Sequence, residues 1–337
     1  MSRSFITLAA LSMAVATPFI SLQAQAVQRT HVSAAFGSDA NTATNCAAAA
    51  PCRFFAAAMS VTNPNGEVIV LDSGGYGAVT ITQSVALIAP TGVYAGISVF
   101  PGADGVTIAT AGVNVVLRGL SINGQGGNNG INMTAGNRLT VENCVISNLG
   151  QSGISVNTAA TVRVTDSIVR DNGLNGITLQ NGVTATITRA VVSGHVNNFG
   201  IYLFGNTPST STADIADSTA DGNYSGIYAQ SISSTAILKL SVRDSRIVNN
   251  SSSGVVVGST AGAAASLTAS NNIVANNVRG IVAFSAGTKV WASGNTVSDN
   301  NNIGLSNIGG ALFETAGNNA VRNNGANGGT ITAIVTQ

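Results

Sequence analysis

A glycine followed by an apolar residue recurs down this chain: Gly130/Ile131, Gly153/Ile154, Gly176/Ile177, Gly200/Ile201, Gly226/Ile227, Gly254/Val255, Gly280/Ile281 and Gly304/Leu305. The intervals are 23, 23, 24, 26, 28, 26 and 24 residues. A drifting period of that size describes one supersecondary unit stacked on copies of itself, because a single copy cannot bury its own apolar face. The order within a repeat is clearest from Gly153 to Gly176, GISVNTAATVRVTDSIVRDNGLNG. After the glycine come an alternating run (Ile154, Val156), a second (Val162, Val164), a turn at Asp166, a third apolar pair (Ile168, Val169) and a polar corner at Asp171 and Asn172. Alternation with period two is the strand signature, and no segment is long enough for an apolar stripe at helical spacing. Three short strands and three turns per copy make one rung of a parallel β-solenoid. A leucine-rich repeat has a similar period but needs a regular leucine framework, whereas Val, Ile and Ala fill the inward positions here.

Aligning the rungs on their third strand gives an inward column of Ile146, Val169, Val192, Ala220, Ile247, Val274, Val297 and Val321. Two residues on, the column reads Asn148, Asp171, Gly194, Gly222, Asn249, Asn276, Asp299 and Asn323. Beside it run Leu149, Asn172, His195, Asn223, Asn250, Asn277, Asn300 and Asn324. Asparagine tolerates left-handed turn geometry, and its amide both donates and accepts along a stack, so this wealth of asparagine reads as structural.

This repeat, its asparagine corner and the stretch NCAAAAPCRFFAAAMSVTNPNGEVIVLDSGGYGAVTITQSVALIAP (residues 45–90) resemble the right-handed parallel β-helix repeat proteins secreted by bacteria, of the pectate lyase-like superfamily. The resemblance covers nearly the whole chain after its first residues. It implies an all-β fold, a right-handed parallel β-helix. The superfamily includes polysaccharide lyases, hydrolases and epimerases alongside adhesins, so the likeness bears on fold and leaves activity to the residues themselves.

Residues 1–26 read as a signal peptide: Arg3, a mostly apolar stretch from Phe5 to Ile20, then Ala24, Gln25 and Ala26 before the cut. The expected product is secreted, periplasmic or extracellular, with no membrane span, since no later run approaches the length needed to cross a bilayer. Residues 27–65 are expected to form an N-terminal cap. In it Cys46 and Cys52 flank an alanine-rich loop and read as a disulfide, metal binding being the rival reading, with no two further ligands nearby. A short helix is expected from Pro51 to Val61, its apolar residues Phe54, Phe55, Ala58 and Met59 closing the exposed solenoid end. Residues 66–337 then hold about eleven rungs at ~4.8 Å each, a rod on the order of 50 Å long. The terminal run TITAIVTQ is strand-like and lacks a comparable helix, so oligomer contacts through this C-terminal edge are an expectation. Cys144 stands at a turn where other rungs carry Ser167, Ser218 and Ser245, and reads as a small stacked side chain.

Charge speaks against nucleic acid: 14 Lys plus Arg stand against 13 Asp plus Glu, and only 8% of residues are charged. Candidate chemistry lies on outward positions. On the second strand these columns read Thr140, Arg163, Thr186, Asp214, Ser241, Thr268, Trp291, Thr315, and Glu142, Thr165, Thr188, Ala216, Arg243, Ser270, Ser293, Gly317. They suggest ion pairs of Glu142 with Arg163 and of Asp214 with Arg243, surface pairs of little weight. Asp214, Asp217 and Asp221 are the one close set of acids, read as strand, turn and corner residues. The Asn-Thr-Asp, Asp-Asp and Gly-His-Gly motifs of polygalacturonases and the Trp-Ile-Asp-His motif of pectate lyases do not occur, so the resemblance carries no catalytic residue onto this chain. His195 has no carboxylate near it in its rung and reads as a corner residue.

The first strand gives the stronger signal. Its outward columns run Asn132, Ser155, Thr178, Tyr202, Tyr228, Val256, Val282, Ser306, and Thr134, Asn157, Gln180, Phe204, Gln230, Gly258, Phe284, Ile308. Tyr202, Phe204, Tyr228 and Phe284 thus gather on one face in a chain that is only 5% aromatic. They form either an exposed binding strip suited to sugar rings or a strip covered by the extended turn Thr207 to Ala213. Three functions follow in order: a non-catalytic module that binds a polysaccharide or makes a surface contact, a polysaccharide lyase or other carbohydrate-active enzyme, and a structural or adhesive rod. No cofactor is expected, except Ca²⁺ if the protein is a lyase.

Overall fold

The computed structural model describes residues 27–334 apart from 261 and 329. The signal-peptide reading of residues 1–26 therefore lies outside the described residues, as does the end of the terminal run.

Each rung folds as its alternation predicts. In the rung that begins at Gly153, strands Ile154–Asn157, Thr161–Thr165 and Ile168–Arg170 follow one another. Each pairs in parallel with its counterpart in the next rung. Stacking produces three parallel sheets, named here first, second and third after the order of strands within a rung. The first and third contain eleven strands each and the second thirteen. The additional strands of the second sheet lie at its ends. At the start Val27–Val32 pairs with Thr62–Val70, a strand that runs across the expected 65/66 boundary between cap and helix. At the other end Ile331–Ala333 closes on Phe313–Thr315.

The core is a set of aliphatic columns. Ile146, Val169, Val192, Ala220, Ile247, Val274, Val297 and Val321 stand in register as the spacing predicts. All but Val321 are buried. The next position turns the chain. Asn148, Asp171, Asn249, Asn276, Asp299 and Asn323 all adopt φ between 54° and 60°. Gly194 and Gly222 take the same left-handed region without a Cβ penalty. Their neighbours form the buried ladder: Asn250 Nδ2 donates to Asn277 Oδ1 (2.8 Å), and Asn277 Nδ2 to Asn300 Oδ1 (3.0 Å). Each amide also donates to a core-strand carbonyl, as Asn277 does to Ile247 O. A buried bend otherwise strands backbone polar groups, and the ladder satisfies them.

A second ladder, at the corner between the second and third sheets, is less regular in sequence. It begins with Cys144 and Ser167, passes through Ala190, Ser218 and Ser245, and becomes asparagine at Asn272, Asn295 and Asn319. Cys144 thus occupies the serine column, as its spacing suggests. It is buried, and burial pushes its thiol up to about 11, which leaves it unreactive.

Four expectations are corrected. The capping helix spans only Phe55–Met59, because Cys52 is drawn into a bridge with Val32 and Phe54 is extended as the N-cap. Phe55, Ala58 and Met59 are buried, whereas Phe54 is exposed and carries the Arg53 guanidinium 4.6 Å from its ring centre. Glu142 pairs backwards with Arg118 at 2.7 Å and not forwards with Arg163. In the last rungs Glu314, not Thr315, stands in register with Trp291, because Thr315 pairs with inward-facing Ala292. The second column shifts in step, so Gly317 does not follow Ser293.

Cys46 and Cys52 form a disulfide. Nearby, the turn after the first strand is fixed by Asp72. Its carboxylate accepts from Ser33 Oγ (2.6 Å), from the Ala34 and Ala35 amides and from the Tyr76 hydroxyl. Burial opposes its charge, but these four donors outweigh that and hold its pKa down to about 2. Burial and the same carboxylate push Tyr76 up to about 12.

Candidate carbohydrate-binding face

The first sheet widens where the repeat lengthens. Strands Ile154–Asn157 and Ile177–Gln180 have 4 residues each, whereas Phe199–Gly205, Ser225–Ser231 and Ser253–Ser259 have 7. The outward columns predicted for this sheet hold their register: Thr178, Tyr202, Tyr228, Val256, Val282 and Ser306 are successive partners. So are Gln180, Phe204, Gln230, Gly258, Phe284 and Ile308.

The four predicted aromatics come together. Tyr202 and Phe204 stack at 5.1 Å, Tyr202 meets Tyr228 edge-on at 5.9 Å, and Tyr228 lies 6.4 Å from Phe284. Phe284 reaches this position because it sits over Gly258, whose missing side chain leaves the space: a Cβ there would lie 2.0 Å from the ring. Two further rings join from the strand starts. Phe199 stacks on Tyr228 at 4.3 Å and lies 6.4 Å from Tyr224. Phe199 immediately precedes a repeat glycine and Tyr224 stands two residues before the next (Phe199-Gly200, Tyr224-Ser225-Gly226), which is the signal by which they could have been found.

Phe199, Tyr224, Tyr228 and Phe284 line a cleft of about 250 Å³ together with Val256 and Val282. These valines point outward by register yet are buried, so they serve as its apolar floor. Ser225, Ser252, Ser253 and Arg279 supply its polar lining. The Arg279 side chain is exposed and makes no ion pair or side-chain hydrogen bond among the described residues. Tyr228 and Tyr202 are held above the ordinary tyrosine range, chiefly by burial, so both present neutral hydroxyls.

The extended turn does not roof this face. Thr210–Ala216 is a strand of the second sheet, and only residues 206–209 remain as a turn. That turn is tied back to the preceding rung by a hydrogen bond from Thr207 to Asn181 at 2.7 Å. Tyr224 stays 44% exposed, enough ring to meet a ligand.

A larger cavity of about 610 Å³ lies on the same sheet at its N-terminal end, beside the capping helix, with Met59, Thr80, Asp104 and Thr107 in its lining. Its one carboxylate is already engaged: the Asn129 amide N–H, Asn129 Nδ2 and Asn132 Nδ2 all donate to Asp104. It offers neither a ring to stack on nor a free charge, so the smaller aromatic cleft is the better candidate.

The remaining candidates fall into structural roles. His195 is fully buried within the corner ladder, where Asn172 Nδ2 donates to its Nε2 (3.0 Å) and its Nδ1 donates to Asn223 Oδ1 (2.8 Å). Burial lowers its pKa, so it is a neutral rung of the ladder. Asp214 pairs with Arg243 at 3.5 Å, Asp217 holds a left-handed turn, and Asp221 accepts from Asn249 Nδ2. These acids occupy different elements and share no ligand geometry.

The sequence matches the family described as "Right handed beta helix region" over residues 60–214. No curated protein matches the chain. Among solved structures, pectate lyase Pel9A superposes with a TM-score of 0.60 over 90% of this chain and 79% of its own, at 17% identity. The A-module of the Azotobacter vinelandii mannuronan C-5 epimerase AlgE4 gives 0.51 over 90% and 98%, at 16% identity. XylC in complex with xylose gives 0.54 over 83% and 69%, at 10% identity. Likeness at such identities speaks for the fold alone. The chain folds as a right-handed parallel β-helix, the fold it shares with pectate lyase Pel9A.

Proposed function

We propose that this protein is an exported, non-catalytic polysaccharide-binding module whose aromatic cleft on the first sheet takes the faces of sugar rings. The observation that carries the reading is a six-ring cluster, four of whose rings line a cleft with an apolar floor while Tyr202 and Phe204 extend the cluster beside it, on an outer face of an otherwise aromatic-poor chain. Flat rings cover the apolar faces of pyranoses, and the serines and Arg279 meet their hydroxyls or an acidic substituent. Export fits the Cys46–Cys52 disulfide, which an oxidising compartment preserves. It also fits the absence, among the described residues, of any helix long and apolar enough to cross a membrane.

A lyase is the second reading, and Arg279 favours it: a cation over a sugar-binding cleft is the group such an enzyme uses as base or to neutralise a uronate. The fold neighbours include a pectate lyase and a mannuronan epimerase. Against it, the cleft lining contains no carboxylate to hold Ca²⁺ or pair with that cation. Incubating the protein with acidic and neutral polysaccharides, with and without Ca²⁺, separates the two. Binding lost in Tyr228→Ala without release of unsaturated products supports the module; growth of the ultraviolet absorbance of unsaturated uronates establishes a lyase.

A further inference from the structure

The second sheet presents a different outer surface. A trough of about 430 Å³ runs over four of its rungs, with Thr186, Thr212, Asp214, Lys239, Ser266 and Thr268 in its lining. In the next rung the registered partners of Ser266 and Thr268 are Lys289 and Trp291. Trp291 is the single tryptophan of the chain, and it stands half-buried on this outward column. Lys239, Ser266 and Lys289 form one column, so the two ammonium groups stand two rungs apart, on the order of 10 Å. Arg163 stands next to Thr186 in the neighbouring column.

The charges on this face are unbalanced. Lys239, Lys289 and Arg163 are exposed and make no ion pair among the described residues. Asp214 and Asp244 share Arg243, at 3.5 and 3.7 Å, and Glu314 stands one rung beyond Trp291. Two cations therefore recur at two-rung spacing along the rod, Lys239 and Lys289 with Ser266 between them, on a surface of hydroxyls and beside an indole. A linear polymer with hydroxyls and regularly spaced negative groups matches that repeat; a compact ligand would engage only one rung of it.

We propose that the outer face of the second sheet is a separate binding surface for a linear anionic glycan, held by Lys239 and Lys289 and stacked at its end on Trp291. The negative group is a uronate carboxylate or a sulfate ester. This surface does not rest on the aromatic cleft, which belongs to another sheet. If both are occupied, one molecule joins two glycan chains.

Because Trp291 is the only indole, its fluorescence reads this face directly. The purified protein is titrated with polygalacturonate, dextran sulfate and neutral dextran, alongside Lys239→Gln/Lys289→Gln and Tyr228→Ala, each checked for unchanged circular dichroism. The expected result is a saturable change in emission with one or both polyanions and none with dextran. The affinity read at Trp291 should fall about tenfold in the double lysine variant and stay within about twofold in Tyr228→Ala, whose loss of binding at the first-sheet cleft is read by calorimetry and does not pass through Trp291. Response to polygalacturonate alone assigns carboxylate, and to dextran sulfate alone sulfate. An equal response to dextran, no response to either polyanion, insensitivity to the lysine substitutions, or loss in Tyr228→Ala each overturns the proposal. The last outcome leaves the first-sheet cleft as the glycan site, whereas binding by both routes keeps the two readings distinct.

Discussion

The rungs between Gly130 and Gly200 and those between Gly200 and Gly304 share a core but differ in width. In the narrow group, successive glycines lie 23 or 24 residues apart, and the first strands that are followed here have 4 residues. In the wide group, most intervals are 26 to 28 and three successive first strands have 7. The third strands do not follow this change: Ile168–Arg170, Thr219–Asp221 and Ile273–Ala275 all have 3 residues. The added length goes to the first and second strands, on either side of the turn that joins them. The side that carries the third sheet, with a ladder and left-handed residues at each of its corners, is thus kept constant, while the first and second sheets broaden and the rings gather on the first. Structure is maintained at one edge of the rod and surface chemistry is varied at the other.

That contrast is open to attack at both edges, and the corner should give the largest effect. Asn277 accepts from the Asn250 amide and side chain and donates to Ile247 O and Asn300, all in a buried site. Asn277→Ala strands several of these groups and should cost about 3 kcal/mol or more, seen as a lowered denaturant midpoint. An outward substitution on a narrow rung, Ser155→Ala, should change that midpoint by no more than about 0.5 kcal/mol. Equal effects would mean that the ladder has no special part in stability.

On the wide edge, Tyr228→Ala removes the ring that contacts Phe199, Tyr202 and Phe284. It should weaken glycan binding about tenfold or more by calorimetry. Gly258→Ala tests the same surface from beneath. A methyl 2.0 Å from the Phe284 ring must displace it, and binding should fall severalfold while the corner ladder stays intact.

The smallest effect is in pH dependence. His195 has its pKa lowered by burial, so between its folded value and the ordinary value of 6.5 the unfolded chain binds more protons. Stability should therefore decline as pH falls below about 6.5, and His195→Asn, which restores the ladder's usual residue, should flatten that decline. Asp72 acts in a lower window. With its pKa near 2 against 3.8 unfolded, its contribution is complete above about pH 4 and is lost as pH falls towards 2. Asp72→Asn should remove this acid-dependent part of the unfolding curve.

The constant edge was legible in the sequence because local geometry dictates its residue types. Only Asn, Asp or Gly sits readily at a φ near +55°, so the corner and its column could be aligned by eye from Asn148 to Asn323. The second ladder was only half visible, since Cys144, Ser167 and Ala190 satisfy the same position with different chemistry. On the broad edge, period-two alternation placed Tyr202, Phe204, Tyr228 and Phe284 on one face. It could not place Phe199, Tyr224 or Arg279, which lie just before the repeat glycine, outside the alternating run. Nor did it show that Val256 and Val282 become a buried floor, because that depends on Phe284 sitting over Gly258. Of the two expected ion pairs, Asp214 with Arg243 forms and Glu142 with Arg163 does not, because Glu142 has a cation in each neighbouring rung and one-dimensional spacing does not choose between Arg118 and Arg163.

The central claim is that the broad edge, and not the narrow one, meets glycan. The most direct measurement is calorimetric titration of a polysaccharide panel into the wild-type protein, Phe284→Ala and Thr178→Ala, the last in a narrow rung on the neighbouring column, which runs on through Tyr202 and Tyr228. The account predicts binding by wild type and Thr178→Ala with equal affinity and a loss of about tenfold in Phe284→Ala. Equal affinity in wild type and Phe284→Ala, or loss confined to Thr178→Ala, would contradict it.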